Sequence, residues 1–436
     1  MRRGEEVADF LRRYGMYFGA IDLGSLVESI SEDMCRGLRG ERSTHVMIPT
    51  YTALSGKVPV GESVIAIDAG GTYFRAALVE FDASGSPRIS GHVRRPMPGM
   101  NKEIGKREFF AAIASYLDGI IERSSRIGFC FSYAIEITPN RDGRLLRFSK
   151  EIRAREVEGT MIGEELLSAL AERGYNHLSR IALLNDSTAT LLAGATRSIG
   201  GVVYDSYIGY ILGTGMNSCY LESDIPKIGL CPEDRRPQIV VLEAGDFESS
   251  VRGDLDLEFD AGTSDPGKYT YQKMFSGGYL GGVSLVVLKR AVRDGLFGPA
   301  ASAAIEEMSS LETKDIGSFL RCPYDEINPV GKAVLAATEA DREIVYRLLD
   351  AMVERAALLA CATISATMLK SGGGSNPARP VCVVVEGTTF YELKGLKRKT
   401  ERHLDEFLEI GRERFAELVH IDNATLIGTA LAGLLW

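Results

Sequence analysis

No stretch of the chain approaches the roughly 18 uninterrupted apolar residues that a membrane-crossing helix needs, so the sequence predicts no transmembrane segment. Histidine is scarce. Its five copies, His45, His92, His177, His403 and His420, fall at no metal-ligand spacing and read as surface or loop residues. The seven cysteines are odd in number and scattered from Cys35 to Cys382 without a CxxC or a zinc-type Cys/His pairing. They point to reduced thiols, mostly in the core, and to a cytoplasmic setting. Positive charge is in deficit: 50 Lys and Arg against 59 Asp and Glu leave a net charge of −9, which excludes a broad surface for nucleic acid or anionic lipid. A local basic pocket for phosphate remains compatible with that balance. The N-terminal Arg2, Arg3, Arg12 and Arg13 are interrupted by Glu5, Glu6 and Asp9 and followed by no apolar run, so no signal peptide is expected. There is also no GxxxxGK[ST], which excludes a P-loop enzyme.

What is present is a globular composition, 45% apolar and 25% charged over 436 residues, enough for two to three domains with a sizeable core. Residues 1–45 read as amphipathic helix, and the Gly/Pro/Ser-rich stretch up to Gly61 as a connection between two units. Short apolar runs then begin: Ser63–Asp68, Arg75–Phe81, Ile127–Tyr133 and Ile181–Asp186. A second series follows at Tyr207–Gly213, Ser218–Ser223, Ile239–Gly245, Val381–Gly387 and Leu418–Asp422. Each series opens with two runs separated by a Gly/Thr turn, Asp68-Ala69-Gly70-Gly71-Thr72 in one and Gly213-Thr214-Gly215 in the other. That weak duplication predicts two α/β units whose turns face one polyphosphate across a cleft. Residues 342–370 carry the longest helical pattern, and Gly372-Gly373-Gly374-Ser375 after it reads as a mobile surface loop.

Glycines in the first turn let backbone N–H groups approach phosphate oxygens, and Asp68 is suited to holding Mg²⁺ through water. Such a turn alone is more often a plain hairpin, and the second turn raises its significance. Asn185 and Asp186 arrive at the carboxyl end of an apolar strand, where α/β sheets bind ligands. Two readings stand for them: a helix N-cap for the stretch from Ser187, or a polar pair in which Asp186 accepts the proton of an attacking hydroxyl.

Taken together these motifs resemble the hexokinase family, the eukaryotic-type branch of the actin-like sugar kinases. The likeness runs through Met47-Ile48-Pro49-Thr50-Tyr51, the Asp68–Thr72 turn with Phe74-Arg75, Phe131-Ser132-Tyr133 and Phe148-Ser149-Lys150. It continues with Val157-Glu158-Gly159, Leu184-Asn185-Asp186-Ser187, Gly213 to Glu222, and Asp265-Pro266-Gly267-Lys268 through Gly281. The resemblance implies an α/β, two-domain actin-like (ribonuclease H-like) fold, with mixed five-stranded sheets flanked by helices and a ligand cleft between domains. The expected large domain comprises residues 1–60 and 187–422, and the small one residues 61–186 and 423–436. It further implies transfer of the γ-phosphoryl group of Mg·ATP to the 6-hydroxyl of a hexose, glucose first and mannose or fructose also, with domain closure on the sugar. Asp186 would be the base. Ser132, Ser149, Lys150, Asn185, Asn217, Glu243 and Gln272 would contact the sugar. Gly70, Gly71, Thr72, Arg75, Gly213, Thr214, Gly215, Gly387 and Thr388 would hold the nucleotide, with Asp68 toward Mg²⁺.

Several residues depart from the family pattern. Gln272 stands where a second sugar-binding glutamate is usual, Tyr73 replaces an asparagine beside the first turn, Ala134 a proline, and Ala244 a tryptophan. Thr363 replaces a glycine expected against the nucleoside, and Asp422-Asn423-Ala424-Thr425 a glycine-rich run. A non-catalytic sugar sensor on the same fold, a kinase for an amino sugar and an actin-like assembly module are the alternatives. The expected partners are a hexose and ATP and not nucleic acid; oligomeric state is silent.

Overall fold

The run Ser63–Ala69 forms β2, and Val64, Ile65, Ala66, Ile67 and Ala69 are all fully buried, as a strand covered on both faces requires. The structure, a computed structural model, describes residues 2–54, 59–70, 72–148, 152–178, 180–196, 201–229 and 235–435. β2 pairs antiparallel with β3 (Tyr73–Phe81), which pairs antiparallel with β4 (Pro87–Pro96). On its other side β2 runs parallel to β5 (Ile127–Phe131), and β5 parallel to β8 (Ile181–Leu184). The sheet order is thus β4-β3-β2-β5-β8.

The second sheet repeats that plan. β9 (Ser206–Leu212) pairs antiparallel with β10 (Met216–Glu222), and β10 with β11 (Gln238–Val241). β9 also runs parallel to β12 (Val381–Glu386), and β12 parallel to β13 (Ala416–Val419). Two-residue β1 (Ile48–Pro49) extends the edge beyond β11. Without β1, each sheet carries five strands in the order third, second, first, fourth, fifth. The duplication sensed in the Gly/Thr turns is therefore a duplication of topology.

One edge strand and one hairpin escaped the apolar pattern. β4 has no buried residue along its length, as befits an edge strand. β6 (Ala134–Ile137) and β7 (Gly143–Arg147) form a separate hairpin that packs Ile135, Ile137 and Leu145 under the first sheet. Four expected strands also end two or more residues early: β5 stops at Phe131, β8 at Leu184, β11 at Val241 and β13 at Val419.

The helix Glu339–Ser371 is the core of the second lobe. Thr338 and Asp341 form its capping box, and Gly372 closes it at φ 71°. By length and composition it could cross a membrane, yet 94% of its apolar window is buried inside the protein. The glycines after it are not a free loop. Gly373 and Gly374 are buried, Gly374 donates its N–H to Asp205 at 3.0 Å, and its carbonyl accepts from Phe415 at 2.8 Å. Burial of the chain between β9 and β12 overrides the composition of that segment.

Between the sheets lies the short helix Asp186–Gly194, every residue of which from Ser187 onward is buried. It touches the helix Ala424–Leu434 and β9 through backbone. A Cβ on Gly428 would stand 1.7 Å from the Ala189 carbonyl oxygen, and one on Gly209 2.3 Å from that of Ser187. Two histidines also differ from expectation. His45 is fully buried, its Nδ1 2.8 Å from Asp33 Oδ2, and His403 contacts the buried Glu354 at 2.8 Å. Although burial opposes it, hydrogen bonds from His45, Arg36 and Thr44 hold Asp33 well below the usual carboxylate range. Of the described cysteines, Cys130, Cys219, Cys361 and Cys382 are buried and all six are free thiols.

Candidate active site

Asn185 and Asp186 stand where the capping reading puts them, at the N-terminus of the helix Asp186–Gly194. Asn185 caps the helix, its Oδ1 accepting from the Thr188 N–H at 2.9 Å and from the Ser187 hydroxyl at 3.2 Å. Asp186, the first helical residue, accepts the Ser187 N–H at 2.8 Å on one oxygen. Capping fixes the two side chains at the carboxyl end of β8 and leaves both only partly buried.

The second lobe brings a complementary set to the same place. Asn217 on β10 donates its amide to Glu243 Oε1 at 2.9 Å, while its own oxygen accepts from the Ser218 N–H at 2.8 Å. Glu243 follows β11 in a left-handed conformation, φ 59° and ψ 48°, which turns its carboxylate back toward β10. Burial pushes its pKa up, and the negative charge of Asp186 adds to the rise, against the Asn217 hydrogen bond. The charge of Asp186 is also felt by Glu386, Cys130 and Cys219, so it stands where both sheets converge.

Gln272 completes this ring. Its Oε1 accepts from the Met216 N–H at 3.1 Å and sits in a notch where a Cβ on Gly215 or Gly245 would each come within 2.9 Å of it. The amide oxygen is thereby committed to the backbone. Next to it, Lys273 is buried and donates to Asp260 at 2.7 Å, Thr263 at 2.8 Å and the Asp265 carbonyl at 2.8 Å, which anchors the helix Thr270–Lys273. One acid pair and three amides around a partly open space offer the donors and acceptors that a polyol presents in return.

The two Gly/Thr turns adjoin this polar cluster: Gly215 lies against Gln272, and the buried Cys130 feels the charges of both Asp68 and Asp186. Asp68, next to last in β2, has its carboxylate 3.9 Å from the Arg75 guanidinium, which is 60% exposed. Ser132 packs directly on Gly70, where a Cβ would come within 2.3 Å of it, and donates its N–H to the Ala69 carbonyl at 3.2 Å. Thr72 is exposed at the head of the β2–β3 hairpin. In the second turn, the carbonyl of Gly213 accepts from the Gly277 N–H at 2.8 Å and the Thr389 hydroxyl at 2.9 Å, and that of Thr214 from Gly278 at 2.8 Å. Gly387 adopts φ 123° and lies against Leu212 and Gly213, a position no side chain could share.

Gly213, Thr214 and Thr388 line a cavity of about 670 Å³ together with Thr313, Lys314 and Arg321. Thr363, expected against a nucleoside, does not line it; it is buried in the long helix beside Tyr271. Gly71, Ser149 and Lys150 lie outside the described residues. Among the described residues no cluster of three or more His, Cys, Asp or Glu could hold a metal. A single carboxylate such as Asp68 suits Mg²⁺ held mainly by water and phosphate oxygens, rather than by a protein cage. Sequence reasoning passed over Glu386, which ends β12 and binds the N–H groups of Gly387 and Ala424. It was hidden at the end of an expected apolar strand, where attention fell on the following Gly387 and Thr388. Asn423 is now intelligible: it adopts φ 57°, the conformation asparagine tolerates best after glycine.

Comparisons with known proteins bear on the family and the fold. Family models described as hexokinase match residues 15–196 and 207–435. Hexokinase-5 of Oryza sativa subsp. japonica is 28% identical over 81% of this chain and 74% of its own. Hexokinase-1 of Schizosaccharomyces pombe is 27% identical over 95% of this chain and 87% of its own. Among solved structures, the hexokinase from Schistosoma mansoni complexed with glucose superposes with a TM-score of 0.77 at 22% identity, covering 100% of this chain and 99% of its own. A second hexokinase crystal structure gives 0.80 at 20% identity over 100% and 99%. The fold is the two-domain actin-like sugar kinase fold.

Proposed function

The chain belongs to the hexokinase family and is a sugar kinase, and from that premise we propose that it transfers the γ-phosphoryl group of Mg·ATP to the 6-hydroxyl of a hexose, glucose foremost. One observation carries the reading. The charge of Asp186 in one lobe reaches Glu243 of the other, which Asn217 binds and Gln272 adjoins; Gly215 of one Gly/Thr turn lies against Gln272, and Cys130 feels both Asp186 and Asp68 of the other turn.

In this reading Glu243, Asn217, Asn185 and Ser132 orient the sugar, with Ser149 and Lys150 from the segment after β7. Asp186 accepts the hydrogen of the attacking hydroxyl. A sugar hydroxyl is far less acidic than a carboxyl, so Asp186 orients the nucleophile first and takes the proton late in a loose transition state. Its hydrogen bond from the Ser187 N–H and its place at a helix N-terminus keep the carboxylate fixed while it does so. Gly70, Thr72, Arg75, Gly213 and Thr214 hold the phosphates, and Gly387 and Thr388 border the nucleoside cavity. Mg²⁺ held near Asp68 would neutralise charge on the transferring phosphoryl group. Closing the lobes on the sugar would exclude water, which otherwise competes as acceptor.

The deciding measurement is coupled-assay phosphorylation with Mg·ATP across glucose, mannose, fructose, glucosamine and N-acetylglucosamine. Turnover of a hexose that disappears in Asp186→Asn supports the reading. Sugar binding without any turnover would put a sugar sensor in its place. Closure has its own check: a small-angle scattering radius unchanged by saturating sugar counts against it.

A further inference from the structure

Tyr51 and Arg141 are non-glycine residues held in the left-handed region, at φ 54° and φ 53°, and a hydrogen bond joins them: Arg141 Nε donates to the Tyr51 carbonyl at 3.2 Å. That conformation is uncommon outside glycine. It persists where surrounding contacts over-determine it, often at sites that switch or bind.

The contacts on both sides are explicit. Around Tyr51 the main chain belongs to the second lobe: its N–H donates to Gln238 Oε1 at 2.9 Å, and its neighbours Thr50 and Thr52 bond the main chain of Ile239 on β11 at 3.0 and 2.8 Å. The Tyr51 ring, however, packs against the core of the first lobe. Tyr51 is thus a crossing point between the lobes. Arg141 sits in the β6–β7 turn, where its N–H donates to the Thr138 carbonyl at 2.8 Å. Beside it the buried Asp142 accepts the N–H groups of Gly163 at 2.6 Å and Glu164 at 2.9 Å, at the start of the helix Ile162–Glu172. The Arg141 side chain is therefore aimed from a fixed base.

Two further bonds show what Arg141 connects. Its carbonyl accepts the N–H of Leu183 at 2.9 Å, the third residue of β8, the strand that ends just before Asn185 and Asp186. Its Nη1 donates to the Leu435 carbonyl at 3.3 Å, at the C-terminal end of the helix Ala424–Leu434, where a cation is favoured. Capping of that end is already served by Arg126, whose Nη1 donates to the Leu434 carbonyl at 2.6 Å. Arg141 thus ties together the crossing point, the strand that delivers Asp186, and the helix packed against Asp186–Gly194.

We propose that Arg141 is a positioning residue for phosphoryl transfer: it pins β8, and with it Asp186, to the crossing point at Tyr51, so that the carboxylate keeps its place when the lobes close. This rests on the reading that Asp186 accepts the proton and that the lobes close on the sugar.

Arg141→Leu, which keeps bulk and removes the donors, should lower kcat roughly tenfold while calorimetric glucose affinity falls by less than about threefold, since small misplacements of a reacting group are costly. Arg141→Lys, a point charge in place of a fork, should recover part of kcat. Gln238→Leu cuts the other tether of Tyr51 and should lower kcat as well, with little added by Arg141→Leu in that background. Arg126→Leu, which removes a helix cap alone, should lower the melting temperature yet leave kcat within about twofold of the parent. Hydrogen exchange in peptides containing Tyr51 and Leu183 should quicken in Arg141→Leu and not in Arg126→Leu. If Arg141→Leu and Arg126→Leu lower the melting temperature alike and neither moves kcat well below it, Arg141 is only a cap and the proposal falls. Fully multiplicative losses in Arg141→Leu and Gln238→Leu overturn it too, because the two would not act through Tyr51. Should Arg141→Leu not fold, Arg141→Lys and Gln238→Leu carry the same test. A parent that phosphorylates no sugar would refute the kinase reading, and exchange at Tyr51 and Leu183, which needs no turnover, would still decide the pin.

Discussion

Arg147, at the end of β7, donates a hydrogen bond to the phenol oxygen of Tyr269 at 2.8 Å. The bond joins the hairpin of the first lobe to the residue that caps the Thr270–Lys273 helix of the second. Tyr269 is itself held in a left-handed conformation, φ 54°, with its N–H on Asp246 Oδ1 at 2.5 Å. The link therefore bridges the lobes three residues from Gln272 and two from Ser149.

Removing it should loosen the sugar side of the cleft. Tyr269→Phe is expected to cost about 1 kcal/mol in sugar binding, a roughly fivefold rise in sugar KM, with kcat little changed. Steady-state kinetics with sugar and nucleotide varied separately will check this; a change confined to the nucleotide KM would contradict it.

Asp186→Asn keeps the shape of the helix N-terminus and removes the proton acceptor. Turnover should fall roughly 10²–10⁴-fold while sugar affinity is retained. Near-normal turnover would remove Asp186 from the chemistry.

Gln272→Glu can keep the bond from the Met216 N–H, since a carboxylate oxygen fits the same notch. The second oxygen would then present an acceptor where the amide presents a donor. The ranking of hexoses by kcat/KM should shift more than the maximal rate with the best one. An unchanged ranking would show that Gln272 does not face the sugar.

Acid stability should depend on Glu354. Burial alone would raise its pKa, but His403, Lys399 and Arg402 outweigh that and hold it at about 2, against 4.5 for an unperturbed glutamate. A depressed carboxyl stabilises above the unfolded value and loses that contribution as pH falls from about 4.5 through about 2. Glu354→Gln should therefore lower stability by roughly 3 kcal/mol near pH 7, the gap to the parent closing below pH 4. Thermal unfolding of both proteins across that range will test the sign.

Where apolar pattern and glycine coincided, the sequence was readable. Ser63–Asp68 with its turn and Tyr207–Gly213 with its own became β2 and β9, because strands buried on both faces leave an unbroken apolar run. Asn185-Asp186 was legible as a cap, because Asn after an apolar strand and before Ser-Thr is a local N-cap signal. Edge strand β4 was not legible, since its alternation is polar against partly exposed. The pairing of His45 with Asp33 joins residues 12 apart through a tertiary turn, and no local signal marks it. Gly373 and Gly374 misled for the opposite reason: they are packed rather than loose, as Ser206 lies against Gly373 and Met368 and the Phe415 carbonyl crowd Gly374.

The helix Asp186–Gly194 meets the Ala424–Leu434 helix and β9 backbone to backbone, with no side chain to act as a cushion at Gly428 or Gly209. If the lobes rotate, an axle built this way is where displacement is least. The carboxylate at its tip would hold station over the sugar while the Gly/Thr turns, farther out along the radius, sweep the long arc. Timing of the reaction would then belong to the turns, and its aim to the axle.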